Sequence, residues 1–128
     1  MVVDTSALLA IAFVEPDAGR FLDAIEAAAT RLISAATALE AAIVVEGRAG
    51  RDAGDDLDAL VQRLALEVEP VKAEQVRLAR AAWRAYGRGN HPAGLNFGDC
   101  FAYALARATG EPLLFKGDDF ARTDIAAA

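Results

Sequence analysis

Cysteine, histidine, tryptophan and methionine each occur once in this chain, and proline four times. The single cysteine, Cys100, excludes an internal disulfide framework, and it leaves no Cys/His spacing of the zinc-site kind. It is expected as a reduced, packed thiol. No apolar stretch approaches roughly 18 uncharged residues, so no membrane span is expected. The first residues lack the basic n-region of a secretory signal, which predicts a soluble, intracellular chain. The phosphate-binding pattern GxxxxGK[ST] is missing, which excludes a P-loop. Positive charge is also scarce: 13 Lys and Arg face 19 Asp and Glu, for a formal net charge of -6 and a pI near 4.7. That balance argues against nucleic acid, which normally needs a basic footprint. The argument fails if the acids gather around a divalent metal, or if the partner is basic.

What is abundant is alanine, within a hydrophobic content of 55% over 128 residues and 13.4 kDa. Alanine is the strongest helix former, so a helix-rich domain is expected, single over residues 1–128. The start, MVVD, reads as a short buried strand, with Thr5 or Ser6 capping the helix LLAIAFVE. Pro16 stops that helix and Asp17 caps the next, AGRFLDAIEAAA. RLISA is a second strand, and Ser34 caps a helix over about 35–48. RDAGDD reads as a charged turn, LDALVQRLAL as a helix and LEVEPV as a strand. Val76, Ala79, Trp83 and Tyr86 recur at helical spacing over 73–86, which puts Trp83 and Tyr86 in the core. GRGNHPAGLN is a loop, with the lone His91 on its surface. A helix over 97–109 closes at Gly110, PLLFK is a last strand, and the tail TDIAAA is expected to fray. Strands alternating with helices predict an α/β fold with a mainly parallel sheet, and ligands in such sheets bind at the carboxyl ends of the strands.

Few acids sit where solvent plainly accounts for them. Asp4 ends the first strand. Glu40 interrupts an apolar helix, ATALEAAIVV. Asp99 falls in the first turn of the helix NFGDCFAYALA. Asp118 and Asp119 follow PLLFK. Each singly has a structural explanation: a helix cap, a solvated position, dipole compensation or an Asp-rich turn. Together they fall near strand ends and helix starts, which can converge on one sheet edge. Converging carboxylates repel unless a cation or shared protons join them. An oxygen-only set suits Mg²⁺ or Mn²⁺, which can activate water and stabilise an in-line phosphoryl displacement.

MVVDTSALLAI, SAATALEAAIVVE, GLNFGDCFAYALA and EPLLFKGDDFARTDI resemble, in that order and across the chain, the PIN-domain ribonucleases. The resemblance is closer still to the VapC toxins of type II toxin–antitoxin systems. It implies a three-layer α/β/α sandwich and a metal-dependent endoribonuclease using Mg²⁺ or Mn²⁺. Asp4 and Asp99 match the principal metal ligands and Glu40 a third acid. The family's fourth acid falls on Gly117 here, so Asp119 takes its place, with Asp118 as substitute. Thr5, Ser6 and Asn96 match supporting positions. The resemblance also implies a VapB-type antitoxin, a homodimer and a cytoplasmic setting. On this chain, Arg77, Arg80, Arg84 and Arg88 recur along one helix as a candidate RNA track, with Lys116 beside the acids. Two rivals stand against this reading. A phosphoacceptor domain of the receiver or haloacid-dehalogenase kind also places an acid after its first strand, but neither DxDxT nor an acid after the central strand is present. The other is a catalytically inactive PIN-like binding module.

Overall fold

A computed structural model describes residues 1–128. Short apolar runs form four strands: β1 (Val2–Val3), β2 (Leu32–Ser34), β3 (Glu67–Glu69) and β4 (Leu113–Leu114). All pair in parallel, in the order β3-β2-β1-β4, with Val2 opposite both Leu32 and Leu113. The helices between them are α1 (Thr5–Ala12), α2 (Ala18–Ala27), α3 (Ala35–Ala49), α4 (Arg51–Arg63), α5 (Ala73–Tyr86) and α6 (Phe97–Thr109). Side chains alternate across a strand, and here the alternation divides the interior in two. Val3, Ile33 and Leu114 face a core shared with α1–α4, while Val2, Leu32 and Leu113 face one shared with α5 and α6. The result is the expected three-layer α/β/α sandwich, and it aims the carboxyl ends of β1, β2 and β4 at one edge. No helix is long and apolar enough to cross a membrane.

Several local expectations need correction. Helix α1 is capped by Asp4 rather than by Thr5 or Ser6: Asp4 is extended, and its Oδ2 accepts the Ser6 N–H at 2.9 Å. Ser34 and Asp17 precede their helices without a side-chain capping bond. RDAGDD is not a turn. It is the first half of α4, and the break from α3 falls at Gly50, whose φ of 89° favours glycine. Trp83 is exposed, because α5 buries its smaller Gln75, Ala79 and Ala82 instead. Tyr86 is half-buried, against Tyr103 and His91. The tail is held, not frayed: Leu113 donates to the Ala126 carbonyl and accepts from the Ala128 N–H, and the Tyr103 hydroxyl donates to Asp124 at 2.6 Å. Cys100 is buried and reduced, as expected.

Candidate active site

Asp4 leaves β1 at its carboxyl end, with its backbone N–H donating to Leu114 O at 2.9 Å. Only 3% of it is exposed. Its Oδ2 takes both chain bonds, from the Ser6 N–H and from the Ser6 hydroxyl at 2.6 Å. The Ser6 hydroxyl in turn accepts the Lys116 N–H at 2.9 Å, tying the end of β4 to this corner. Glu40 comes from α3, one and a half turns past β2. The Thr5 hydroxyl donates to its Oε1. Its Oε2 lies against Gly98 so closely that a Cβ there would stand 1.8 Å away. Gly98 is thus a place where only hydrogen fits without moving the carboxylate.

Asp99 sits in the first turn of α6, fixed by a reciprocal cap. Its N–H donates to Asn96 Oδ1 at 2.9 Å, and its Oδ2 accepts the Asn96 N–H at 2.8 Å. Asn96 therefore both caps the helix and orients the acid. Asp118 and Asp119 follow β4 on an exposed turn.

Electrostatics tie these acids together. Burial pushes the Asp4 carboxyl above the usual carboxylate range, against the lowering bonds from Ser6, and the charge of Glu40 adds to the rise. Asp99 is pushed up to about 6, first by burial, then by the charges of Asp4, Asp119 and Glu40, with the Asn96 N–H opposing. Asp119, and not Asp118, is among the charges that act on Asp99. Four acids from two strand ends and two helices therefore share one field, and no cation is among its main sources.

The donor set fits a hard divalent ion. It is oxygen only, and the chain's own bonds engage a single oxygen each on Asp4, Glu40 and Asp99. As they stand, the side chains form no group of three His, Cys, Asp or Glu placed to hold a metal ion.

The other candidate positions separate. Arg77, Arg80, Arg84 and Arg88 are exposed along α5 and its end. Lys116 is not free beside the acids: its ammonium pairs with Glu15 and, at 3.0 Å, with Asp17. His91 is half-buried. Its Nδ1 accepts the Ala93 N–H at 3.0 Å and its ring meets Tyr86 edge-on, so it braces its own loop. Gly98 was not singled out by the sequence reading. Its signal was a glycine inside a first helical turn, immediately before an acid.

The PIN-domain family profile matches residues 1–126, and the chain belongs to that family. Within it, the relatives are VapC ribonucleases. Ribonuclease VapC30 of Mycobacterium tuberculosis is 55% identical over 126 residues, covering 98% of this chain and 96% of that one. Ribonuclease VapC of Mycolicibacterium smegmatis is 50% identical over 127 residues, covering 99% and 98%. Among solved structures, that of Mycobacterium tuberculosis VapC20, described as a sarcin–ricin loop cleaving toxin, superposes with a TM-score of 0.79. It covers 99% of this chain and 97% of that one; at 18% identity it speaks to the fold alone. Membership in the PIN-domain family sets the phosphoacceptor reading aside.

Proposed function

We propose that this chain is the toxin of a type II toxin–antitoxin pair, a cytoplasmic endoribonuclease that cuts RNA phosphodiesters with a carboxylate-held Mg²⁺ or Mn²⁺. One observation carries the reading: Asp4, Glu40, Asp99 and Asp119 share one field at the carboxyl edge of the sheet, and three of them are turned by a chain hydrogen bond on one oxygen. A divalent ion held there lowers the pKa of water and offsets charge on a phosphodiester. Asp4 and Asp99 are the principal ligands, each kept in place by a bond made within its own helix start. Thr5 holds Glu40 by its Oε1, and Oε2, beside Gly98, is left without a chain hydrogen bond and would be the oxygen to take a proton from the attacking water. Asp119, on an exposed turn, completes the set from the solvent side. Exposed Arg77, Arg80, Arg84 and Arg88 supply phosphate contacts on an otherwise acidic chain. Lys116, already paired with two acids, is left out of that track.

The antitoxin is proposed to lie in a separate groove of 710 Å³ between the α1–α2 corner and the α3–α4 hairpin. Phe13, Val14, Leu22, Val45, Leu57 and Leu60 line it, which suits the apolar face of a helix. At its rim Val14 is 83% exposed and holds a φ of 52°, rare for a β-branched residue. An exposed, strained apolar side chain is where a partner's contact recovers the cost.

The test is cleavage of RNA with and without Mg²⁺ by the parent, Asp4→Asn and Asp99→Asn. Loss of either ligand should cut the rate by more than about a hundredfold, since outer-shell changes alone reach that range. Undiminished cleavage by either variant overturns the assignment. A parent that cuts no RNA with Mg²⁺ or Mn²⁺ leaves the binding-module alternative.

A further inference from the structure

Two side-chain hydroxyls, Ser34 Oγ and Thr37 Oγ1, are sealed from solvent without a hydrogen-bond partner in the chain, and they are the only buried side-chain polar atoms so placed. Ser34 is 0% exposed and Thr37 1%. Both forgo the partner that their position offers. Serine at an N-cap normally accepts an N–H from the first helical turn, yet Ser34 opens α3 without a side-chain bond. Threonine in a helix commonly turns its hydroxyl onto a carbonyl three or four residues back, and Thr37 does not. A buried hydroxyl left unpaired costs free energy, whereas an apolar group of the same shape does not. An interior that keeps two such groups, three residues apart, calls for a reason other than stability.

Their place in the fold supplies one. β1 and β2 pair in parallel with Val2 opposite Leu32, so the register sets Asp4, two residues on, beside Ser34. Both positions are extended, which puts the two side chains on the sheet face of Val2 and Leu32, the face shared with α6. Thr37 precedes Glu40 by three residues on α3, a spacing that makes them neighbours on the helix surface. The two unpaired hydroxyls therefore stand behind two acids that the chain already grips by other hydroxyls. Ser6 donates to Asp4 Oδ2, and Thr5 donates to Glu40 Oε1. We propose that Ser34 and Thr37 are positioning residues for these acids, Ser34 acting on Asp4 and Thr37 on Glu40. Each hydroxyl donates to its carboxylate, directly or through one bound water, when the acids hold a divalent ion, and so fixes the orientation in which they hold it. The inference rests on the metal-dependent ribonuclease reading and extends its donor set by a supporting row of hydroxyls.

Titration of the purified chain with Mn²⁺, read by loss of the free-ion electron paramagnetic resonance signal, tests this without reference to cleavage. Ser34→Ala and Thr37→Val each remove a hydroxyl at nearly constant shape. Each should weaken Mn²⁺ binding at least about tenfold, the low end of the effect of an outer-shell partner. Without divalent ions both variants should melt at or above the parent, since an unpaired buried group has been removed. Thr37→Ser, which keeps the hydroxyl, should restore most of the affinity that Thr37→Val loses. A merely structural role gives the opposite pattern, a lower melting temperature with parental Mn²⁺ affinity, and that result overturns the proposal. Equal weakening in Thr37→Ser and Thr37→Val also overturns it, because the effect then belongs to shape. Parental Mn²⁺ affinity in the variants of a chain that cuts RNA removes the positioning role and leaves the ribonuclease reading. Hydroxyl-dependent Mn²⁺ binding by a parent that cuts no RNA does the reverse, and a parent that binds no Mn²⁺ overturns both.

Discussion

The two faces of the sheet are filled by different means. Beneath α1–α4 the interior is built of large side chains, among them Leu8, Phe21, Ile25, Ile33 and Leu57. Beneath α5 and α6 the helices bring more alanine to the interior: Ala79, Ala82, Ala102, Ala104 and Ala106 are all buried there, beside larger residues such as Leu95, Leu105 and Phe120. The distance between packed helices depends on the side chains at the contact. Large residues hold α1–α4 apart and leave the 710 Å³ groove between them. Small residues let α5 and α6 make the most extensive helix–helix contact in the molecule and bring α6 down onto β1 and β4. That close approach is what delivers Asp99 to the field of Asp4 and sets Gly98 against Glu40. The bulky face makes a groove; the alanine-richer face brings Asp99 and Gly98 to the edge that α3 reaches with Glu40.

The largest expected effect comes from breaking each face in its own way. Phe21→Ala opens a cavity under α2 and should cost about 3–5 kcal/mol in urea unfolding. Ala104→Leu, under α6, should instead overpack and cost about 1–3 kcal/mol. The reverse order of these two costs would refute the difference in packing.

A smaller effect sits where α6 reaches the edge. Asp99, raised to about 6 in the fold from an ordinary 3.8, binds a proton more tightly folded than unfolded. Stability contributed by that proton is present at pH 4 and is lost as pH rises through about 6; Asp4, also raised, acts in the same direction. Asp17 and Asp124 are lowered, so their contributions are lost only in more acid solution, below the usual range. Without divalent ions, the chain should melt higher at pH 5 than at pH 7 by on the order of a few degrees. Asp99→Asn should shrink that difference, and Mn²⁺ should raise the melting point of the parent at pH 7. Equal melting at both pH values would mean that the fold does not raise the Asp99 and Asp4 carboxyls.

The smallest effect on stability belongs to Gly98→Ala. The added methyl meets only the far end of Glu40, and alanine is the better helix residue, so unfolding should change by less than about 1 kcal/mol. The gain in melting temperature from Mn²⁺ should nevertheless shrink, since Glu40 must swing away. A full Mn²⁺ response would show that the closeness of α3 and α6 is not needed to set the site.

Much of this was legible from residue order. The strand–helix alternation, the strand ends bearing Asp4 and the GDD turn, the Asn96 cap and the reduced Cys100 all follow from local patterns of burial and capping. What misled was equally physical. Trp83 and Val76 gave α5 a convincing apolar stripe, but the neighbouring α6 had room only for alanine, so the buried stripe is rotated onto Gln75, Ala79 and Ala82. Three acids and a glycine made RDAGDD look like a turn; with α3 to pack on, it is helix. TDIAAA carries no local strand signal and is ordered by the unpaired edge of β4.

Residue types in order thus determined the layers, the acids and the oxygen-only chemistry available to them, because periodicity and chemical hardness are local properties. Only the folded structure decided that Glu40 lies against Gly98, that Glu40 and Asp119 act on Asp99, that Lys116 is spent on Glu15 and Asp17, and that five apolar side chains from three helices lie exposed. Those outcomes depend on how near two helices can approach, and that is set by the side chains of both at once.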